Sequence, residues 1–191
     1  FTLAETNSFK QQCRKIVVTA DDALLSQIPV ADWMRGTIPY FMSDKGGLLT
    51  KDYLLVDDFT DIGVDFRIVR YNELTIQNIC ADEFENGFTV FISPIDSPTL
   101  MEYSVKSLYY DDIFKNPIVG YVAGFDMNQP SEAHVYLGSG KEVSAVHGVA
   151  MHIKLPSGKV ARTEIINPNG IDESSAVITF PKDSFTQSEC Y

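Results

Sequence analysis

Apolar positions in the first third of the chain follow both helical and strand spacing. Residues 6–28 are predicted to be helical with a break near Thr19, because Thr19-Ala-Asp-Asp22 offers a hydroxyl cap followed by first-turn acids. Short apolar runs then predict strands at 37–42, 49–59 and 64–71. The pattern therefore predicts helical structure leading into a series of strands.

The middle of the chain alternates between segments whose apolar residues have helical spacing and segments typical of strands. Residues 73–85 are predicted to be helical because four apolar side chains recur on one face at helical spacing. These are Ile76, Ile79, Cys80 and Phe84. The nearly continuous apolar run 88–92 predicts a strand buried on both faces.

Ser97-Pro98 predicts the start of the longest helix, since Ser is a good N-cap and Pro suits the first helical position. Residues 115–117 end this helix, and 118–124 form the next predicted strand. Five side chains are predicted to line the apolar face of the helix. These are Met101, Val105, Leu108, Tyr109 and Ile113.

The last third of the chain changes to strands joined by Gly- and Pro-containing turns. Strands are predicted at 133–138, 142–155, 159–166 and 175–180, and their short spacing favours an antiparallel β meander. The predicted fold class is α/β (α+β), with mixed β-sheet layers, packed helices and this C-terminal meander. A length of 191 residues fits a single domain over 1–191.

The formal net charge of −11 bears on the partners that the chain can bind. An acidic surface repels phosphate backbones and anionic lipid headgroups, which argues against nucleic acid and membranes as partners. The three cysteines, Cys13, Cys80 and Cys190, are odd in number and widely spaced, so we expect reduced thiols. With no membrane-span or signal-peptide pattern, the expected location is the cytoplasm.

Motifs for catalysis, metal binding or cofactor binding are absent from the sequence. His147 and His152 point to opposite faces of a regular strand, and neither they nor His134 belong to an HxH or HExxH pattern. Each histidine is interpreted as an isolated hydrogen-bonded residue, although one axial haem ligand needs no local motif. No phosphate-binding loop or GxSxG elbow occurs. The sequence therefore predicts no catalytic residue, no metal site and no cofactor.

Two short glycine-containing segments, Gly36–Tyr40 and Gly120–Gly124, are the candidate ligand site. Glycine inside a strand marks either close packing or a closely approaching ligand. Both segments follow predicted helices, so their strand ends are expected to line one crevice in one sheet. The predicted ligand-binding residues are Gly36, Thr37, Tyr40, Gly120, Tyr121, Gly124 and Asp126.

The order of these segments resembles the N-terminal domain of FIST proteins, a family of intracellular signal-transduction sensors. Gly36-Thr-Ile-Pro-Tyr40 stands where that family has a "GCSTAGEI"-like motif, but lacks its Cys and Glu. Ile118-Val-Gly-Tyr-Val-Ala-Gly124 is similar to its "VVGGxAG"-like strand, and residues 135–151 resemble its following hairpin. The resemblance covers roughly residues 16–155 and implies a sensory domain.

The leading functional prediction is a non-catalytic domain that binds an unknown small molecule, as in a bacterial-type signalling protein. One alternative is a protein–protein interaction module, because the sequence holds nine Tyr, twelve Phe and one Trp, Trp33. A second alternative is a small hydrolase that uses Cys80 or a His–Asp pair.

Overall fold

The computed structural model describes residues 1–136, 142–166, 177–181 and 189, which fall in two compact units. The first unit spans Phe1–Ala161 and contains every helix and strand described below. In the second unit, Arg162–Tyr191, the exposed side chains of Arg162 and Glu164 lie 3.5 Å apart. The prediction of a single domain stays a prediction.

The described part of the first unit contains three α-helices and eleven β-strands. In chain order they are α1 Leu3–Gln11, β1 Ile16–Ala20, α2 Asp22–Leu25, β2 Met34–Thr37, β3 Tyr40–Ser43, β4 Gly46–Leu49, β5 Leu55–Asp58, β6 Asp65–Tyr71, β7 Gly87–Pro94, α3 Pro98–Lys106, β8 Ile118–Ala123, β9 Val135–Tyr136, β10 Val143–Ser144 and β11 Gly148–Lys154. Short 3₁₀ turns occur at Ile76–Asn78 and Ser107–Tyr109.

The strands form two larger sheets and one hairpin. The five-stranded sheet has the order β10-β9-β2-β1-β5, the four-stranded sheet has the order β6-β11-β7-β8, and β3 pairs with β4. The pairs β1–β2 and β7–β8 are parallel, whereas β9, β10 and β11 all pair antiparallel. The predicted α+β fold with an antiparallel C-terminal region is confirmed.

A shared apolar core joins the two sheets. Val17 and Met34 of the five-stranded sheet pack with Ile92, Met151 and Ile153 of the four-stranded sheet. A second core, built around Ile16, Val18, Leu25 and Trp33, lies on the other face of β1 and includes α2. A third core covers the far face of the four-stranded sheet and contains Tyr71, Ile76, Ile79 and Phe91. The two sheets therefore lie between outer apolar clusters.

The prediction of a helix over 6–28 is wrong in its middle, because 16–20 forms strand β1. Four β-branched residues stand in this run of five, Ile-Val-Val-Thr-Ala, and all five are buried. Alternate residues of β1 face opposite cores, so the uninterrupted apolar run fits a strand covered on both sides. The helix that follows is capped by Asp21 rather than Thr19, through a 3.0 Å bond from the Ala23 N–H.

Helix α3 ends at Lys106 and is shorter than predicted, and the apolar face predicted for the longer helix is largely exposed. Leu108 is 71% exposed and Tyr109 is 86% exposed, while Met101 and Val105 are also accessible to solvent. The helix packs instead through Thr99 and Leu100, and the Tyr103 ring lies 5.0 Å from that of Phe91. Of the five predicted positions, Met101 and Val105 belong to α3, and the sheet contacts a different face of this helix.

Two further elements differ from the sequence prediction. Residues 73–85 form turns around Ile76–Asn78 rather than a full helix, with Ile76 and Ile79 buried as expected. Residues 159–166 form no strand, because their apolar side chains are exposed, as Val160 shows at 84%. The segment 175–180 lies partly outside the described residues, and its described part, 177–180, forms no strand. In the described part of the chain, no helix is long and apolar enough to cross a membrane.

Candidate functional site

A cleft of about 170 Å³ opens where three strands end. Asp21 and Asp22 follow β1, Pro39 lies two residues beyond β2, and Gly124 follows β8. Strands β1 and β2 are parallel neighbours, so their carboxyl ends meet at one edge of the five-stranded sheet. The carboxyl ends of parallel strands are a common place for ligands in α/β proteins.

Main-chain and side-chain hydrogen bonds bring the two predicted glycine segments together. Gly124 donates its N–H to the carbonyl oxygen of Thr37 at 2.7 Å. The Tyr121 hydroxyl donates to the carbonyl oxygen of Gly36 at 3.2 Å, and accepts from the Thr19 hydroxyl at 2.8 Å. The segments do meet, but β2 and β8 belong to different sheets, so the expectation of one shared sheet is wrong.

Gly36 and Gly120 serve packing rather than the cleft. A Cβ on Gly36 would lie 2.8 Å from both Ile92 Cγ2 and the Tyr121 hydroxyl. A Cβ on Gly120 would overlap the carbonyl oxygen of Phe91 on the paired strand β7. Gly124 differs from both, since a Cβ there would meet open space and the residue itself lines the cleft.

Asp126 is the buried carboxylate of the cleft, at 7% exposure. Its Oδ1 accepts from the backbone N–H of Asn128 at 2.9 Å and from the Tyr40 hydroxyl at 3.4 Å. The Tyr40 hydroxyl also accepts from the Met127 N–H at 3.1 Å. Lys51 Nζ lies 3.8 Å from Asp126 Oδ2 and donates to Gln129 Oε1 at 2.9 Å. Tyr40 and Asn128 therefore fix the position of Asp126.

His134 links two other carboxylates of the cleft. Its Nδ1 lies 3.2 Å from Asp22 Oδ1, and its Nε2 lies 3.1 Å from Glu132 Oε2. The Tyr136 hydroxyl donates to the same Asp22 oxygen at 2.7 Å, and burial together with Asp22 raises the pKa of Tyr136. The backbone N–H of His134 donates to Thr37 Oγ1 at 2.9 Å. This is the kind of His–Asp pair that the hydrolase alternative requires.

The sequence interpretation thus found part of this site. Thr37, Gly124 and Asp126 line the cleft, and Tyr40 supports it from behind. Gly36 and Tyr121 join the two sheets instead, and Gly120 allows close packing of β8 against β7 within the four-stranded sheet. Three further residues were missed, since none of them lies in either glycine segment. They are Lys51, Asp22 and His134.

The cleft carries more negative than positive charge. Among the described residues that line it, four carboxylates face one ammonium group, that of Lys51. The carboxylates belong to Asp21, Asp22, Asp126 and Glu132. No group of three or more His, Cys, Asp or Glu side chains suited to a metal ion occurs in the part of the chain that the structure describes.

Cys80 does not have the environment of a nucleophile. The thiol is buried, and burial, with Glu83 and Asp112 adding, raises its pKa to about 11. A nucleophilic cysteine needs its thiolate form, which a raised pKa disfavours. The structure therefore gives the Cys80 form of the hydrolase alternative no support.

Comparison with known proteins places the chain in a family without assigning it an activity. One family model matches residues 1–191, and its description is "Family of unknown function (DUF6976)". No curated protein and no solved structure matches the chain. The resemblance to FIST proteins stays a prediction. The chain belongs to the family of unknown function DUF6976.

Proposed function

We propose that the chain binds a small, positively charged molecule in the cleft at the carboxyl ends of β1, β2 and β8. The observation that carries the proposal is the Asp126 carboxylate, which is buried at the cleft wall and oriented by Tyr40 and Asn128. A buried carboxylate favours a cationic partner, because burial removes the water that otherwise stabilises its charge.

Lys51 is a counterion that a ligand can replace. Its ammonium group lies 3.8 Å from Asp126 Oδ2, which is longer than a hydrogen bond, and its side chain is 47% exposed. A Lys side chain that swings into solvent regains rotamer freedom and its own hydration. An ammonium or guanidinium group of a ligand can then take the position beside Asp126.

The remaining carboxylates suit the rest of such a molecule. Glu132 and Asp22 lie at the cleft wall and share His134, while Gln129 offers an amide. A cleft of about 170 Å³ fits a compact ligand rather than a dinucleotide. Binding without turnover is the action of a sensory domain, and it is the function that we propose here.

Thermal-shift measurements on the full chain with four small probes test the proposal. Putrescine and agmatine supply cations, and succinate and butane-1,4-diol are the anionic and neutral counterparts. We expect the cations alone to raise the melting temperature, since a ligand that binds only the native state stabilises it. Stabilisation by succinate instead would contradict the proposed charge of the ligand.

Two variants show whether Asp126 is responsible. Asp126→Asn is expected to abolish the shift, and the matched control Asp61→Asn, at an exposed carboxylate, to retain it. Lys51→Met removes the competing cation and is expected to strengthen putrescine binding several-fold, whereas Lys45→Met is expected to leave it unchanged. A loss of putrescine binding in Lys51→Met would contradict the role of Lys51 as a counterion that the ligand replaces.

The second candidate function is protein binding through the exposed part of residues 101–114. Val105, Leu108, Tyr109 and Phe114 are each more than 60% exposed, and large exposed apolar side chains in one segment are typical of interaction sites. Sedimentation velocity at increasing concentration tests self-association as its simplest form. Leu108→Ser with Tyr109→Ser is expected to abolish any dimer that forms, and a persistent dimer would exclude this surface.

A further inference from the structure

Five polar side chains form a continuous hydrogen-bonded network at the four-stranded sheet. The Tyr71 hydroxyl lies 2.8 Å from Asp82 Oδ2 and 2.9 Å from His152 Nε2. On the other side of the imidazole, Thr89 Oγ1 lies 2.8 Å from His152 Nδ1 and 3.0 Å from Glu83 Oε1. His152 and Thr89 are fully buried and Tyr71 is 1% exposed. The order is therefore Asp82–Tyr71–His152–Thr89–Glu83.

Four contacts in this network require four hydrogens. The two hydroxyl groups supply one each, and a neutral imidazole supplies one more. With both carboxylates ionised and His152 neutral, only three hydrogens are available, so one contact brings two lone pairs together. A buried polar contact without its hydrogen is costly. The geometry calls for a fourth proton on the imidazole or on a carboxylate.

The imidazole is the less favourable place for this proton. Burial lowers the pKa of His152 to about 4, with Arg67 acting in the same direction and Asp82 against it. A second ring proton would put a cation where solvent does not reach.

Glu83 is the more favourable place. Burial raises the pKa of Glu83, and Asp112 adds to this effect, while Lys115 and hydrogen bonds from Asn116 and Thr89 oppose it. Its second oxygen, Oε2, already accepts from Asn116 Nδ2 at 3.0 Å. Oε1 is therefore the oxygen that can carry a proton toward Thr89.

We propose that Glu83 is a proton-binding site that completes the network. With a proton on Glu83 Oε1, Glu83 donates to Thr89, Thr89 donates to His152 Nδ1, His152 Nε2–H donates to Tyr71, and Tyr71 donates to Asp82. All four contacts then have one hydrogen each. When Glu83 loses the proton while Asp82 is ionised and His152 is neutral, one contact is without a hydrogen, whichever tautomer His152 adopts.

The proton on Glu83 completes the network that holds the turn segment 79–86 against the sheet. This segment supplies Asp82 and Glu83 and is held against β6, β7 and β11 through Tyr71, Thr89 and His152. Loss of the proton leaves one contact of the network without a hydrogen, so the network that holds the segment is weaker at high pH. Charged and titratable groups from the segment itself and from neighbouring elements also face the network. They are Arg67, Cys80, Tyr103, Asp112 and Lys115.

Nuclear magnetic resonance on the full chain tests the proposal, with ¹³C-labelled glutamate and ¹⁵N-labelled histidine followed against pH. We expect the Glu83 carboxyl to titrate above its ordinary pKa of 4.5. Below that midpoint, His152 should hold its proton on Nε2, and both ring nitrogens should respond at the Glu83 midpoint. A Glu83 midpoint at or below 4.5, or a proton on Nδ1 in the proton-bound state, would overturn the proposal.

Glu83→Gln is the decisive variant, since the amide group donates to Thr89 as the protonated acid does. In this variant the His152 ring should remain in its Nε2–H form across the midpoint seen in the unmodified chain. Glu85→Gln, at an exposed neighbouring residue, is the matched control and should leave that midpoint in place. If the pH response of His152 persists in Glu83→Gln, the proton does not reside on Glu83.

Discussion

The N–H of Gly124 lies 2.7 Å from the carbonyl oxygen of Thr37, which joins the carboxyl end of β8 to that of β2. This bond connects the two sheets through main-chain atoms, directly beside the cleft. Side chains that line the cleft can therefore be replaced without removing the contact that places its walls.

Gly120→Ala is expected to destabilise the fold by about 1–3 kcal/mol through overpacking. The added methyl group would overlap the Phe91 carbonyl oxygen, which is backbone and cannot rotate away. Gly124→Ala is the control, because the same methyl group there enters open space and should change stability by less than about 0.5 kcal/mol. Urea unfolding of both variants measures the difference, and equal free energies of unfolding would contradict the packing role of Gly120.

Tyr121→Phe is expected to cost about 1–2 kcal/mol, since its hydroxyl bonds both Thr19 and the Gly36 carbonyl across the sheets. The aromatic ring remains, so the loss reports the hydroxyl alone. Tyr53→Phe, at a tyrosine that is 51% exposed, should be close to neutral in the same urea experiment. A neutral result for Tyr121→Phe would mean that the sheets do not depend on this bridge.

The pKa of His152 predicts the direction of an acid effect on stability. Because burial lowers this pKa from 6.5 to about 4, the unfolded chain binds more protons than the folded chain between these values. The free energy of unfolding should therefore fall as pH falls from 6.5 to 4, by about 3 kcal/mol across the window. Urea unfolding in the Glu83→Gln background isolates this effect, and His152→Gln in that background should remove it. Stability that rises toward pH 4 would contradict the assignment.

The two described cysteines should differ sharply in reactivity. Cys13 is exposed, whereas burial raises the pKa of the Cys80 thiol to about 11, so little Cys80 thiolate exists at pH 8. Both are free thiols, as the sequence predicted, and Cys190 lies outside the described residues. In a Cys190→Ser background, iodoacetamide at pH 8 should modify Cys13 at least tenfold faster. Equal rates, followed by mass spectrometry, would contradict the burial of Cys80.

Short sequence motifs predicted the elements that depend on residues adjacent in the chain. Ser97-Pro98 begins α3 as expected, with the Ser97 side chain accepting from the Leu100 N–H at 3.1 Å. The nearly continuous apolar run 88–92 before it lies within β7, Gly87–Pro94, as predicted. By contrast, residues 16–20 were predicted to belong to the helix over 6–28. Their identity as a strand depends on burial between two cores, which periodicity alone does not reveal.

The sequence predicted those cleft residues that lie close to one another along the chain. Gly124 and Asp126 are two positions apart, so one strand end identifies both. Asp22 and His134 are separated by 112 positions and meet because β1 and β9 both flank β2. Asp22 also carries the local signal of a first-turn helix acid, which hid its contact with His134. Contacts between residues so far apart in the sequence follow from the order of the strands in the sheet, which the sequence pattern did not predict.

The most direct test of cation binding in the cleft is a putrescine titration of the ¹⁵N-labelled chain, followed by two-dimensional amide spectra. The account predicts saturable shifts concentrated at the amides of Gly124, Met127 and Asn128. Asn128 N–H donates to the Asp126 carboxylate, Met127 N–H donates to the Tyr40 hydroxyl that contacts this carboxylate, and Gly124 lines the cleft. The same titration of Asp126→Asn should show no saturable shift at these amides. Saturable shifts confined to other parts of the chain, or the same shifts in Asp126→Asn, would contradict the proposed site.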